Sequence, residues 1–152
     1  MLICLTSNKS AVRALPYGTT IDSSVYISFL RETGDKWRRL RSDPTRLCDL
    51  SFQADNARPH VSRETREFLA MRNVKTLFQS PHSPDFNLLD RWVNSHLKTN
   101  FKHRVFCSSQ EVEEAALQVL RSIPHARFVK EIDKLKQHLQ IVIQKGGDFV
   151  ID

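Results

Sequence analysis

Two prolines three residues apart, Pro81 and Pro84, divide this chain into two differently patterned parts. Proline fixes φ and disfavours helix in the residue before it, so Ser80-Pro81-His82-Ser83-Pro84-Asp85 is a stiff loop. Before it, short apolar runs alternate with helical stripes. Residues 1–6 and 11–16 predict two strands around the polar turn Ser7-Asn8-Lys9-Ser10, a hairpin stopped by Pro16-Tyr17-Gly18. A helix is expected from Asp22 or Ser23, burying Val25, Tyr26, Phe29 and Leu30 and fraying at Gly34. Residues 47–54 alternate as a strand with Leu50 and Phe52 inward. Ser62 caps a helix to Arg72, with Glu64 in its first turn, and residues 74–78 form a short strand. After the loop only helical stripes remain. Residues 87–101 carry Leu89, Trp92, Val93 and Leu97. A capping box of Ser108 and Glu111 opens the stripe Val112, Ala115, Ala116, Val119 and Leu120. Pro124 opens a last helix with Phe128, Ile132, Leu135, Leu139 and Val142, ended by Gly146-Gly147. Alternating strands and helices argue for an α/β layered domain whose chemistry sits at the carboxyl ends of its strands.

Composition narrows the function classes. At 152 residues and 40% hydrophobic, the chain suits one domain with a real core. No apolar run approaches the roughly 18 residues of a membrane span, and the apolar start has no basic flank of a secretion signal. Cys4, Cys48 and Cys107 stand far apart, which excludes a disulfide framework or an ordinary zinc site and fits a reducing compartment. The net charge of +6 is unevenly placed. Residues 1–60 hold nine basic and six acidic side chains, residues 61–109 eight and four, and residues 110–152 six and seven. A basic body suggests a polyanion, nucleic acid first, against the plainer reading of a solvated surface.

Two carboxylates stand where an α/β site would place them. Asp55 ends the expected strand 47–54, and Asp90 lies in the first turn of the helix after the proline loop. Such a pair can converge on a divalent metal. Each also has a local reading: Asp55-Asn56 as an Asx turn, and Asp90 as the third-position partner of an Asn87 cap.

The strings Gln53-Ala54-Asp55-Asn56-Ala57-Arg58-Pro59-His60 and Ser80-Pro81-His82-Ser83-Pro84-Asp85-Phe86-Asn87-Leu88-Leu89-Asp90-Arg91-Trp92 closely resemble two blocks of the Tc/mariner transposases. The 34 residues between Asp55 and Asp90 match the mariner-type interval. Weaker likeness covers Tyr17-Gly18-Thr19-Thr20-Ile21-Asp22-Ser23-Ser24-Val25-Tyr26 and Lys145-Gly146-Gly147-Asp148-Phe149. The resemblance implies an RNase H-like mixed sheet flanked by helices, in which three carboxylates hold two Mg²⁺ or Mn²⁺ ions. Asp55 would be the second acid and Asp90 the third, both catalytic and both metal ligands. The implied reactions are cleavage at transposon ends and strand transfer into a TA target, in the nucleus, by a homodimer, with no membrane or small-molecule substrate.

The family's first acid lies on a central strand for which this sequence has no match. Asp22, Glu32, Asp35, Asp43 and Asp49 precede Asp55, and none fits that position. Asp85 is a conceivable substitute. The expectation is therefore a single partial catalytic domain over 1–152, with an RNase H-like core over 1–109 and C-terminal helices over 110–152. It lacks the central strand, carries two unpaired strand edges and is inactive alone. Arg58, His60 and Arg63 near the acids, and Lys36, Arg38 and Arg39 around Trp37, are the expected nucleic-acid contacts. Arg66 could join them. Trp37 would anchor a basic loop or stack on a base, and His60 would orient the turn after Asp55. His82, His96, His103, His125 and His138 are surface or packing residues. The rival function classes are a nucleic-acid-binding relic without catalysis and a product with no selected function.

Overall fold

The computed structural model describes residues 1–77, 79–148 and 150. The last residue of the expected strand 74–78, Phe78, and the last of the Lys145–Phe149 string, Phe149, lie outside the described residues. Strand β1 (Leu2–Leu5) and β2 (Ser10–Arg13) form the expected hairpin, in register from Leu2 opposite Arg13 to Leu5 opposite Ser10. Lys9 donates its backbone N–H to Thr6 Oγ1 at 3.0 Å, which closes the turn. Helix α1 (Ser23–Arg38) is capped by Asp22, whose carboxylate accepts the Val25 N–H at 2.9 Å. Strand β3 (Ser51–Gln53), helices α2 (Arg58–Val61) and α3 (Arg63–Met71) and strand β4 (Lys75–Leu77) follow. The chain ends in α4 (Asn94–Phe101), α5 (Ser109–Ser122) and α6 (His125–Gln144).

The fold is α/β with flanking helices, and its strands fall into two separate pairs. β1 pairs antiparallel with β2, and β3 parallel with β4. Period-two alternation lets the hairpin serve two cores. Leu2, Cys4 and Ala11 pack with Tyr26, Phe29, Leu30 and Trp37 of α1 and Phe68 and Leu69 of α3. Ile3, Leu5 and Val12 face the opposite way, onto Val93, Leu97, Ala116, Val119 and Leu120.

Four expectations need correction. Residues 47–54 are not one strand. Leu47–Asp49 is a 3-10 turn, because the Asp49 carboxylate accepts the Arg46 backbone N–H at 3.0 Å and competes with an extended chain. Helix α1 does not fray at Gly34. A Cβ there would lie 2.9 Å from the Leu47 side chain, so glycine lets Leu47 lie against a helix that continues to Trp37, only 2% exposed. Lys36, Trp37 and Arg38 are therefore a helix end rather than a loop, and Trp37 is a core residue that cannot stack on a base. The helix from Ser62 is preceded by α2, a single turn opened by Pro59 near its start, as proline at a first helical position favours. On α6 the buried positions are Phe128, Glu131, His138 and Val142, while Ile132, Leu135 and Leu139 are half-buried.

Candidate functional site

The chain turns sharply after β3, and the turn is built by Asp55 itself. Its Oδ1 accepts the Ala57 N–H at 3.1 Å, the Asx turn that the local reading expects. The same oxygen lies 2.5 Å from His60 Nδ1 on α2. The His60 ring lies against Tyr26 of α1, with centroids 4.2 Å apart, so the helix fixes the imidazole and the imidazole fixes the carboxylate. Burial pushes the Tyr26 phenol up, with smaller contributions from Cys4 and Asp55. Burial likewise pushes the Cys4 thiol up to about 12, which makes it an inert core group rather than a ligand.

Asp90 arrives from the other side. Leu89–Val93 forms a π-helical turn that runs directly into α4, a wide turn frequently found at functional sites. Asn87 is buried just before this turn, and its Oδ1 accepts the Leu89 N–H at 3.0 Å. Asp90 accepts instead from Asn94 Nδ2 at 3.0 Å, one turn onward, and takes no part in a reciprocal box with Asn87. Asp55 and Asp90 line one cavity of about 480 Å³. The Asp90 carboxyl is raised above its ordinary 3.8, first by partial desolvation and then by the Asp55 charge. Among the described residues, Oδ2 of each aspartate accepts no hydrogen bond.

A raised carboxyl in the folded state binds its proton more tightly than in the unfolded chain. Its contribution to stability is therefore lost as pH rises through the ordinary carboxylate value, and a penalty persists at neutral pH. Asp90→Asn is expected to raise the thermal midpoint at neutral pH and to leave it unchanged at about pH 3, below that value. Scanning fluorimetry at the two pH values checks this, and a midpoint lowered at neutral pH contradicts it.

Asp85, the conceivable substitute for a third acid, is committed elsewhere. Its Oδ2 lies 2.7 Å from Nε2 of His138 on α6, and that histidine is 2% exposed. His138 is thus a buried partner of the proline loop, not a member of a solvated helix face. Among the described residues, no group of three His, Cys, Asp or Glu side chains could hold a metal.

The basic residues form two sets. Arg58 is exposed on α2 beside His60, and Arg63 is exposed on α3 with its Nε 2.7 Å from Glu67. Arg66 donates Nε–H to the Val61 carbonyl at 2.7 Å, which occupies its inner face. Lys36, Arg38 and Arg39 are exposed at the far end of α1, with Arg38 3.5 Å from Asp35. Arg38 is twelve residues beyond Tyr26, about 18 Å along the helix, so this second set is remote from the aspartates.

Sequence reasoning missed the amide frame behind the site. Gln53 at the end of β3 donates to Gln79 Oε1 at 2.7 Å and to the Phe86 carbonyl at 3.0 Å. Gln79, 5% exposed, donates to the Ser83 carbonyl at 2.6 Å, and its own carbonyl accepts from Asn56 at 2.9 Å. These bonds tie the ends of both parallel strands to the proline loop and set the position of each aspartate. Asn94 was missed as well, although its place four residues after Asp90 on a helix is a signal that could have found it. The Asp85–His138 pair spans 53 residues and left no local signal.

No family model matches the chain. It is 26% identical over 132 residues to human histone-lysine N-methyltransferase SETMAR, across 87% of this chain and 19% of that protein. It is 23% identical over 101 residues to the transposable element Tc3 transposase of Caenorhabditis elegans, across 66% of this chain and 31% of that one. The chain thus spans less than a third of either curated relative. The fold matches the Mos1 transposase catalytic domain bound to raltegravir and Mn with a TM-score of 0.84 at 19% identity, covering 98% of this chain and 76% of that one. A Mos1 paired-end complex with the left transposon end matches with a TM-score of 0.77 at 20% identity, across 93% of this chain and 40% of that one.

Proposed function

We propose that this chain, a homologue of mariner/Tc1 transposase catalytic domains, is a portion of a DDE/D domain that acts on DNA through a divalent-cation centre at Asp55 and Asp90. The observation that carries this reading is the meeting of two motifs, whose acids Asp55 and Asp90 have 34 residues between them, at one cavity. The carboxylate oxygens suit Mg²⁺ or Mn²⁺. Each aspartate keeps one oxygen uncommitted while His60 or Asn94 holds the other, an arrangement that orients a ligand without consuming it. The repulsion between the two carboxylates is what a bound cation relieves. When bound, such ions activate a water or 3′-hydroxyl and stabilise the leaving oxygen of a phosphodiester. His60 keeps the Asp55 carboxylate aimed, Asn94 does the same for Asp90, and the amide frame holds the two together.

Two carboxylates suffice for one ion, and a two-ion centre needs more donors than the described residues bring together. The purified chain by itself is therefore expected to leave a plasmid with mariner-type ends uncut in Mg²⁺ or Mn²⁺. Metal-dependent nicking that disappears in Asp55→Ala would overturn that expectation. The shortage of carboxylates also favours a second reading, a nucleic-acid-binding module without catalysis. Arg58, His60 and Arg63 flank the site and would meet phosphates, with Lys36, Arg38 and Arg39 as a remote second contact. Binding to random duplex, followed by fluorescence anisotropy, is expected to weaken at least tenfold between 50 and 200 mM salt, as about two or more phosphate contacts require. Affinity independent of salt contradicts the phosphate-contact reading. Transposon ends and a TA target as DNA partners, a homodimer and a nuclear location complete the proposal. No helix among the described residues is long and apolar enough to cross a membrane.

A further inference from the structure

The basic stretch at the end of α1 runs past the helix into a short loop, residues 40–44, that takes no part in the proposed site. Both ends of this loop are pinned to one atom. The Trp37 carbonyl accepts the Leu40 N–H at 3.3 Å and the Thr45 N–H at 3.2 Å. Trp37 is fixed in the core, so the residues between these two bonds bulge from a rigid base. Asp43 ties the bulge to the β1–β2 turn, its Oδ2 accepting from Asn8 Nδ2 at 2.8 Å and pairing with Lys9. Arg41 and Ser42 form the tip, and both are exposed. Among the described residues, the main-chain N–H groups of Arg41, Ser42 and Asp43 donate to no backbone acceptor. The tip can therefore straighten in an enzyme's groove without breaking a main-chain hydrogen bond. Charge singles out Ser42 among the hydroxyls. Arg41, Arg39 and Arg38 stand one, three and four residues before it. No other serine or threonine of the chain has more than two basic residues in its four preceding positions. Arg38 lies 3.5 Å from Asp35, and Arg46 2.9 Å from Asp49. Arg39 and Arg41 are exposed and form no ion pair among the described residues, which leaves two cations to meet an anion at Ser42.

We infer that Ser42 is a phosphorylation site for a serine/threonine kinase whose peptide groove places carboxylates against arginines upstream of the acceptor. In the step, Ser42 Oγ attacks the γ-phosphorus of a nucleoside triphosphate held by the kinase. The Oγ–P bond forms and the bond to the β-phosphate oxygen breaks. The hydroxyl proton passes to the kinase's base, and the nucleoside diphosphate leaves. The product carries about −1.5 to −2 charges at neutral pH, set against Lys36, Arg38, Arg39 and Arg41. It cancels about half of the positive charge at this end of α1 and draws Arg39 and Arg41 into charge-assisted hydrogen bonds. Neither metal nor nucleic acid is needed for this modification, which goes beyond the DNA reading and does not rest on it.

The test incubates the folded full chain with Mg²⁺, ATP and a kinase selective for arginine three residues before the acceptor, beside a synthetic peptide of residues 36–46. One phosphoryl group per chain is expected, mapped to Ser42 by tandem mass spectrometry. Its rate should lie within about tenfold of the peptide's, because the exposed tip is already presented. Ser42→Ala is expected to abolish incorporation. Arg39→Gln and Arg41→Gln together should slow it at least tenfold, through lost charge recognition. All three substitutions lie at exposed positions, and an unchanged circular dichroism spectrum checks that the fold is kept. Incorporation that survives Ser42→Ala, that is indifferent to the two arginines, or that occurs in the peptide and not in the folded chain overturns the inference. So does the absence of incorporation in both.

Discussion

Trp37→Ala is expected to destabilise the fold by about 3–5 kcal/mol, because the indole is fully enclosed and its removal leaves a large cavity. Trp37 joins the end of α1 to Leu47 and to the hairpin face of Leu2 and Cys4, so the loss is felt by three elements at once. A domain has only about 5–15 kcal/mol of net stability, so the variant will be partly unfolded at body temperature or close to it. Each kcal/mol moves the midpoint by about 2–4 °C at this size, which predicts a fall of about 6–20 °C by circular dichroism. A fall under about 2 °C would mean that the side chain is not enclosed. It would then restore the reading of an aromatic among arginines, free to stack on a base.

His138→Ala has the second largest expected effect, about 2–3 kcal/mol, from a lost buried side chain and a lost hydrogen-bond partner for Asp85. Asp85 keeps some contact with solvent, 29% of its side chain, so water can replace part of what is removed. That limits the loss below that of a sealed ion pair. The pair fastens the proline loop to α6, so amide exchange at residues 83–90 should quicken more than the global stability loss requires. His138→Gln, which retains a donor, should recover part of both effects. If the alanine variant keeps its midpoint within about 1 °C, the loop is held without this pair.

These two residues show where sequence reading succeeded and where it stopped. The hairpin, the start of α1 at Asp22 or Ser23, the Ser62 cap and the Ser108 cap of α5 are all local, and all were legible. Trp37 was misplaced because its neighbours Lys36, Arg38 and Arg39 dominate the local pattern, while the partner that buries it, Leu47, is ten residues away across a loop. Gly34 looked like a helix end, and only the approach of Leu47 shows why a glycine sits inside α1. His138 was unreadable because its partner lies 53 residues earlier. Of the candidate site, the two aspartates and His60 could be named from motifs. The frame of Gln53, Gln79 and Asn56 could not, since isolated amides carry no periodic signal. The separation of the strands into two pairs agrees with a resemblance that supplied no match for a central strand. The 480 Å³ space between them is a property that only the packed chain shows.

The central claim is that Asp55 and Asp90 together hold a divalent cation. The direct measurement is a Mn²⁺ titration followed by electron paramagnetic resonance on the chain and three variants. One ion is expected to bind, at least tenfold more weakly in Asp55→Ala and in Asp90→Ala, and unchanged in Asp85→Asn, as removal of a ligand but not of a distant carboxylate requires. Mn²⁺ binding that survives loss of both aspartates, or that depends on Asp85, would contradict it.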